Sequence, residues 1–328
     1  MLGLINDETS ISLEPGGQLE LSIKPSIHIS DIKEIYKKYY SMIITLLEKR
    51  NQTLITQGYL PASCVNEIPL LPKSRYSFMD NHFKNTGTMG INMMRGTAST
   101  QVSIDYTDET DFIKKYKCAY MLSPILAFIS SNTPVFEGKI NNDPLIRTKI
   151  WNNVDNDRTG ILRTTFDSDF SFEKFAQYIL NQSAIFEIKN YTVQKSNRIV
   201  ADVLSDSNVD FDEFLLYLSL VFPDVRLRQY IEIRVADSMP LDKIIFYIAL
   251  IKGLFSDTNK LYDYLCRFRQ NNDSIIAAQE SISRDGIHAI VYGEPINCLI
   301  RQIIELAHSS LDENEKYILE KVFSVYDF

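Results

Sequence analysis

Residues 10–25, SISLEPGGQLELSIKP, decide how the rest of the chain is read. Two alternating runs, 11–13 and 19–23, flank Pro15-Gly16-Gly17, a composition that predicts a tight β-hairpin. With those three residues as the loop, Glu14 lies across from Gln18 and Ser12 from Glu20. Side chains alternate along a strand, so Ser12, Glu14, Gln18 and Glu20 share one face, and Leu13, Leu19 and Leu21 the other. Two carboxylates on one face, with no basic residue between them, repel each other unless a cation intervenes. Oxygen ligands on rigid backbone are what Mg²⁺ takes. A solvated polar face would carry the same pattern.

The 328-residue chain is 45% hydrophobic and 23% charged, enough to bury one large core or two modest ones. A formal net charge of −8 and a pI near 5.2 leave no basic surplus, which excludes a general nucleic-acid binder. Cys64, Cys118, Cys266 and Cys298 show no CxxC spacing, so free thiols in a reducing cytosol are expected, without a zinc site. His28, His82, His288 and His308 form no cluster either. The opening MLGLINDETS lacks a basic segment followed by an apolar run, so no signal peptide is expected. Residues 244–255 are apolar but short and interrupted by Lys252, which predicts a core helix, not a membrane span.

Along the chain, Ser30 is the expected cap of a helix to about residue 50, with Ile32, Ile35, Tyr36, Tyr39, Ile43 and Leu46 inward. A short strand at 53–59, a proline-rich loop at 61–72, a helix at 75–83 and a turn at Gly87–Gly90 follow. Residues 98–106 alternate as a strand, with Ser99, Gln101, Ser103 and Asp105 on one face. Residues 107–132 read as a helix bent near Pro124. Helices at 171–181 and 211–222 flank a polar strand-like piece at 185–199. Residues 226–235 read as a single strand, with Arg228, Tyr230, Glu232 and Arg234 on one face. From Pro240 onward the pattern is helical. The fold class expected is α+β, with helices on the outer face of an antiparallel sheet whose other face is a polar bowl.

Three strands then offer Glu14 and Glu20, Gln101, and Glu232 with Arg228 and Arg234 to one face. Acids beside arginines suit a metal-bound polyphosphate, because magnesium bridges carboxylate to phosphate and guanidinium takes developing charge. A mutual salt-bridge network would look the same in sequence.

The segments ISLEPGGQLEL, TASTQVSIDY, IRTKIWNNVDNDRTGIL and VRLRQYIEIRVAD occur in that order. Together they resemble the glutamate–cysteine ligase family of plants and many bacteria, over residues 2–235 and more weakly beyond. The resemblance implies a glutamine-synthetase-like funnel over ATP and Mg²⁺, in a single catalytic domain over 1–328 (sheet-containing core 1–238, helical part 239–328). It implies that ATP phosphorylates the γ-carboxylate of glutamate and that the α-amine of cysteine then attacks the acyl phosphate, a step of glutathione biosynthesis. By family position Glu14, Glu20, Glu232 and Gln101 would hold metal, and Arg234, Arg228 and Gln101 would contact ATP. Arg147 would fork onto a substrate carboxylate, with Arg75, Trp151, Arg158, Thr97 and Met93 around the substrate. Arg158 would otherwise pair with Asp155 or Asp157. Glu232→Gln and Arg234→Ala are each expected to abolish turnover with little effect on folding.

The pattern breaks in three places. The family carries a further N-terminal strand with a Glu-x-Glu pair, and none stands before Leu2 here. That leaves a late start codon, a partner chain or missing segment completing the sheet, or a fold that has lost its chemistry. Met93-Met94-Arg95-Gly96-Thr97 places Gly96 where the family commonly has arginine, so a different acceptor amine is an alternative, as is a non-catalytic nucleotide-binding or partner protein. The cysteines do not match the plant regulatory positions, and no redox switch is expected.

Overall fold

The N-terminal alternation becomes a three-stranded antiparallel sheet of β1 (Gly3–Ile5), β2 (Thr9–Leu13) and β3 (Leu19–Ile23). Leu13 faces Leu19 and Ser12 faces Glu20, the expected register. The turn closes through Gly17 N–H to the Glu14 carbonyl (2.8 Å), and Gly17 takes φ +85°, a conformation glycine adopts without strain. The computed structural model describes residues 3–189, 192–206 and 211–323.

A carboxylate from far along the chain starts the first long helix, α1 (Ile29–Glu48). Ser30 lies inside α1 and caps nothing; the Ile29 N–H donates instead to Glu315 Oε1 (3.1 Å), which also accepts from Lys252 Nζ (2.7 Å). Of the expected inward stripe Tyr39 is buried, Ile32, Ile35, Tyr36 and Ile43 are half-buried, and Leu46 is exposed. Residues 53–59 form no strand; Tyr59 makes a single bridge to Thr97.

Next come the helices α2 (Ser74–Thr86) and α3 (Gly90–Gly96), the second beginning where the expected Gly87–Gly90 turn ends. In α3, a Cβ at Gly96 would stand 2.5 Å from two carbons of the Tyr59 ring. That ring cannot retreat: it is buried, its hydroxyl donates to Glu137 (3.0 Å) and accepts from Asn92 (2.9 Å). Gly96→Ala is therefore expected to cost about 1–3 kcal/mol through overpacking. Thermal melting checks this, and shortening Tyr59 in the same chain should recover part of the loss.

A central sheet is built from three separated pieces of chain. Strand β4 (Ser99–Ile104) leads to α4 (Glu109–Ile129), which Asp108 caps by accepting from Asp111 N–H. α4 runs through Pro124: the Tyr120 carbonyl, which Pro124 cannot serve, accepts from Ser123 Oγ at 2.8 Å. The two-residue strands β5 (Val135–Phe136) and β6 (Lys139–Ile140), α5 (Ile146–Trp151) and β7 (Thr159–Gly160) follow. Then come α6 (Phe172–Leu180), the hairpin β8 (Phe186–Lys189) and β9 (Thr192–Lys195), α7 (Val200–Leu204), α8 (Phe211–Leu218) and β10 (Phe222–Pro223), which pairs in parallel with β7.

The strand expected over 226–235 is in fact a hairpin, β11 (Val225–Leu227) and β12 (Ile231–Asp237), turning at residues 228–230. β12 lies between β11 and β4, with a bulge between Ile233 and Ala236. Both faces of β12 are covered, so the expected open polar bowl is closed over at this strand. α4 packs on β12, and Tyr116 on α4 donates to the Val225 carbonyl at 2.8 Å. The two three-stranded sheets are not hydrogen-bonded to each other. Just before β3, the Gln18 amide donates to the Met94 and Thr97 carbonyls (3.2 and 3.0 Å), tying the hairpin to α3 and to the segment that leads into β4.

The described remainder is mostly helical, with α9 (Leu241–Ser256), α10 (Thr258–Leu265), α11 (Asn272–Asp285), α12 (Ile296–His308) and α13 (Glu313–Phe323), but the short pair β13 (Ile290–Val291) and β14 (Glu294–Pro295) breaks the expected all-helical run. Among the described residues no helix is long and apolar enough to cross a membrane.

Candidate functional site

The register of the β11–β12 hairpin places Arg226 opposite Glu232, and strand alternation puts Arg234 on the same face. Glu232 Oε2 accepts from both guanidiniums, from Arg226 Nε at 2.9 Å and from Arg234 Nη1 at 2.7 Å. All three side chains are buried. Burial alone would raise the carboxyl, but the charges of Arg234 and Arg226 prevail and hold it down at about 2. Arg226 pays the complementary cost: burial, then the neighbouring Arg234, weighs against its charge.

Arg234 also donates to Gln101 Oε1 (3.1 Å) across the sheet, and lies over the rings of Trp151 (5.8 Å) and Phe222 (5.9 Å). Arg147, on the short helix α5, is buried against the same indole at 5.5 Å. Its Nη atoms donate to the backbone carbonyls of Ala98 (3.5 Å) and Arg234 (3.3 Å), with no carboxylate partner among the described residues. Burial lowers it to about 10. Arg147, Trp151, Phe222, Asp224 and Arg234 line one narrow cleft.

The N-terminal hairpin is linked to this cleft by the charge of Arg234, which acts on Glu14. Its tip is fixed by Leu71 N–H to the Pro15 carbonyl and by Lys73 Nζ to the Leu13 carbonyl, both 2.9 Å. Burial, then the charge of Glu20, pushes the Glu14 carboxyl up, while Lys73, Arg75 and Arg234 pull it down. Glu14 and Glu20 thus act on each other, and Arg234 acts on Glu14 as well. An acid pair held this way gains from a hard divalent cation, and both donors are oxygens of the kind magnesium takes. Glu232 fits that role less well, because its Oε2 is committed to two guanidiniums.

The remaining expected residues divide. Arg75 is exposed, lies over the Tyr76 ring at 5.2 Å and reaches the site only through its charge. Met93 is a buried core residue, and Thr97 donates to its carbonyl at 2.7 Å. Arg228 sits in the turn, not on the strand face, and its carbonyl accepts from Tyr106 (3.1 Å). Arg158 stands away from the cleft in a buried network with Asp155 (3.2 Å), the Leu220 carbonyl and Ser183, the ion-pair reading of that residue. Arg226 and Asp224 were missed. A turn without glycine or proline hid Arg226, whereas the lone acid in the apolar run Val221-Phe222-Pro223-Asp224-Val225 was a signal that went unread.

The cleft thus presents two buried guanidiniums, Arg147 and Arg234, and one carboxylate, Asp224, to whatever enters it. The chain belongs to the glutamate-cysteine ligase family 2, whose model matches residues 3–289. It is similar to the chloroplastic glutamate–cysteine ligase of Arabidopsis thaliana, 32% identical over 269 residues, covering 80% of this chain and 52% of that one. The chloroplastic enzyme of Brassica juncea is 32% identical over 273 residues, covering 81% and 53%. The chloroplastic glutamate–cysteine ligase B of Oryza sativa subsp. japonica is 31% identical over 276 residues, covering 80% and 54%. The chain spans about half the length of the curated relatives it matches.

Proposed function

We propose that this chain carries the catalytic site of an ATP- and Mg²⁺-dependent carboxylate–amine ligase, a glutamate–cysteine ligase that forms γ-glutamylcysteine for glutathione biosynthesis. The observation that supports this most is the convergence of Arg147 and Arg234 on one cleft, with Arg147 free of any carboxylate partner among the described residues. A γ-carboxylate oxygen of glutamate attacks the terminal phosphorus of ATP, and ADP leaves with the electron pair of the broken P–O bond. The amine of cysteine then attacks the acyl carbon and gives up a proton as phosphate departs. Phosphate is a good leaving group where the carboxylate oxygen is not.

In this reading Arg147 holds a substrate carboxylate and Arg234 meets the charge that develops on the transferring phosphoryl group. Gln101 aims Arg234, and Arg226 with Glu232 fixes it from behind. Glu14 and Glu20 would hold magnesium, which neutralises phosphate charge when bound. The glutamine-synthetase-like funnel belongs to the same reading. Among the described residues β3 and β4 each have one unpaired edge, where a strand from a partner chain or a further segment would complete the sheet.

The test is ADP release by the full chain with magnesium, glutamate and cysteine, run beside other amines. ADP with cysteine is the expected result. ADP only with another amine selects a different γ-glutamyl ligase. ATP binding without ADP formation overturns the catalytic reading in favour of a nucleotide-binding or partner protein.

A further inference from the structure

Three buried polar atoms in or beside this cleft lack any hydrogen-bond partner: Arg147 Nε, Trp151 Nε1 and Asp224 Oδ2. Two are donors and one is an ionisable acceptor, and unmatched buried groups of this kind are costly unless something fills them. Asp224 is the unusual member. It is 7% exposed, and its carboxyl is raised by burial to about 6, with the charges of Arg147 and Arg234 opposing. Neither arginine binds it, since Arg147 donates to backbone carbonyls and Arg234 to Glu232 and Gln101. The other groups that bear on it are the Gln279 amide and the hydroxyls of Tyr116 and Tyr120.

The backbone holds Asp224 from both sides, its N–H donating to the Gly160 carbonyl (2.8 Å) and its carbonyl accepting from Arg234 N–H (3.0 Å). The side chain is thus aimed by main-chain bonds and makes none of its own through Oδ2. An anion alone would leave Asp224 unmatched, and a simple amine would leave Arg147 and Arg234 unmatched. A molecule with a carboxylate and an ammonium on neighbouring atoms satisfies both.

We propose that Asp224 anchors the ammonium group of an amino-acid substrate and, with Arg147 on the carboxylate, makes the cleft specific for the zwitterionic head group. This rests on the ligase reading above and names the residue that sets its substrate class.

Calorimetric titration of the full chain compares L-glutamate with glutarate, which keeps both carboxylates and lacks the ammonium. A charged hydrogen bond of this kind is worth about a tenfold to hundredfold preference for glutamate. In Asp224→Asn that preference should vanish through weaker glutamate binding, with glutarate binding unchanged or tighter. The variant's melting temperature at pH 7 should hold or rise, because a buried charge is removed. A merely structural aspartate would instead lower the melting temperature and weaken both ligands together.

Equal affinity of the unaltered chain for the two acids, a measurement that needs no variant, overturns the inference. So does a preference that survives in Asp224→Asn. If ADP forms from glutamate while glutarate binds as well, only Asp224's role falls. If glutamate neither binds nor supports ADP release, the ligase reading falls and takes this inference with it.

Discussion

Arg234→Ala is expected to lower ADP release by about a thousandfold or more while leaving a folded chain. Loss of one donor to developing transition-state charge costs about 3–4 kcal/mol, and arginines on transferring phosphoryl groups reach higher. The fold tolerates the loss for a specific reason. Glu232 keeps both bonds from Arg226, at 2.9 and 2.8 Å, so no buried carboxylate is stranded. Arg226 is also relieved of the neighbouring like charge that weighs against it. ADP release measured beside a thermal melt checks the pair of statements. Near-normal release would remove Arg234 from the chemistry.

Glu232→Gln is expected to behave differently, losing activity and fold together. The amide leaves Arg226 and Arg234 buried side by side without a counter-charge, and removing one partner of a buried pair costs about 3–5 kcal/mol. The buried pairing replaces the sequence-based expectation of little effect on folding with this one. The same pair predicts the acid response. Glu232 titrates at about 2 in the folded chain, against its ordinary 4.5 when free. Its contribution, about 3 kcal/mol, is fully present above pH 4.5 and is lost as pH falls from there towards 2. Denaturant melts at pH 7, 4 and 3 should therefore converge for Glu232→Gln and the unaltered chain. A gap that stayed constant with pH would mean that the ion pair is not what holds this strand.

Local signals were legible and distant ones were not. Pro15-Gly16-Gly17 between alternating runs specifies its own hairpin, and the register followed from it to the residue. The helices after Pro240 were legible because a 3.6-residue stripe needs no knowledge of its neighbours. By contrast, Leu227-Arg228-Gln229-Tyr230 reverses direction without a turn residue, so one strand was read where two lie, and Arg226 went unseen. Gln101 and Arg234, grouped from separate segments, meet at 3.1 Å. Whether Glu232 faces a cation or two guanidiniums depends on the opposite strand, which alternation alone does not supply. For Arg158 the sequence left two readings open, and the contact with Asp155 is the ion-pair one.

The Glu315 carboxylate that closes the amide end of α1 lies outside the stretch matched by the family, residues 3–289. Residues 29 and 315 are therefore tied by a bond whose acceptor lies outside that match. Loosening the last helix would first be felt some 286 positions upstream, at the stem that carries the Glu14 hairpin. A substitution in α13 can thus reach the start of α1, the element that directly follows the N-terminal sheet.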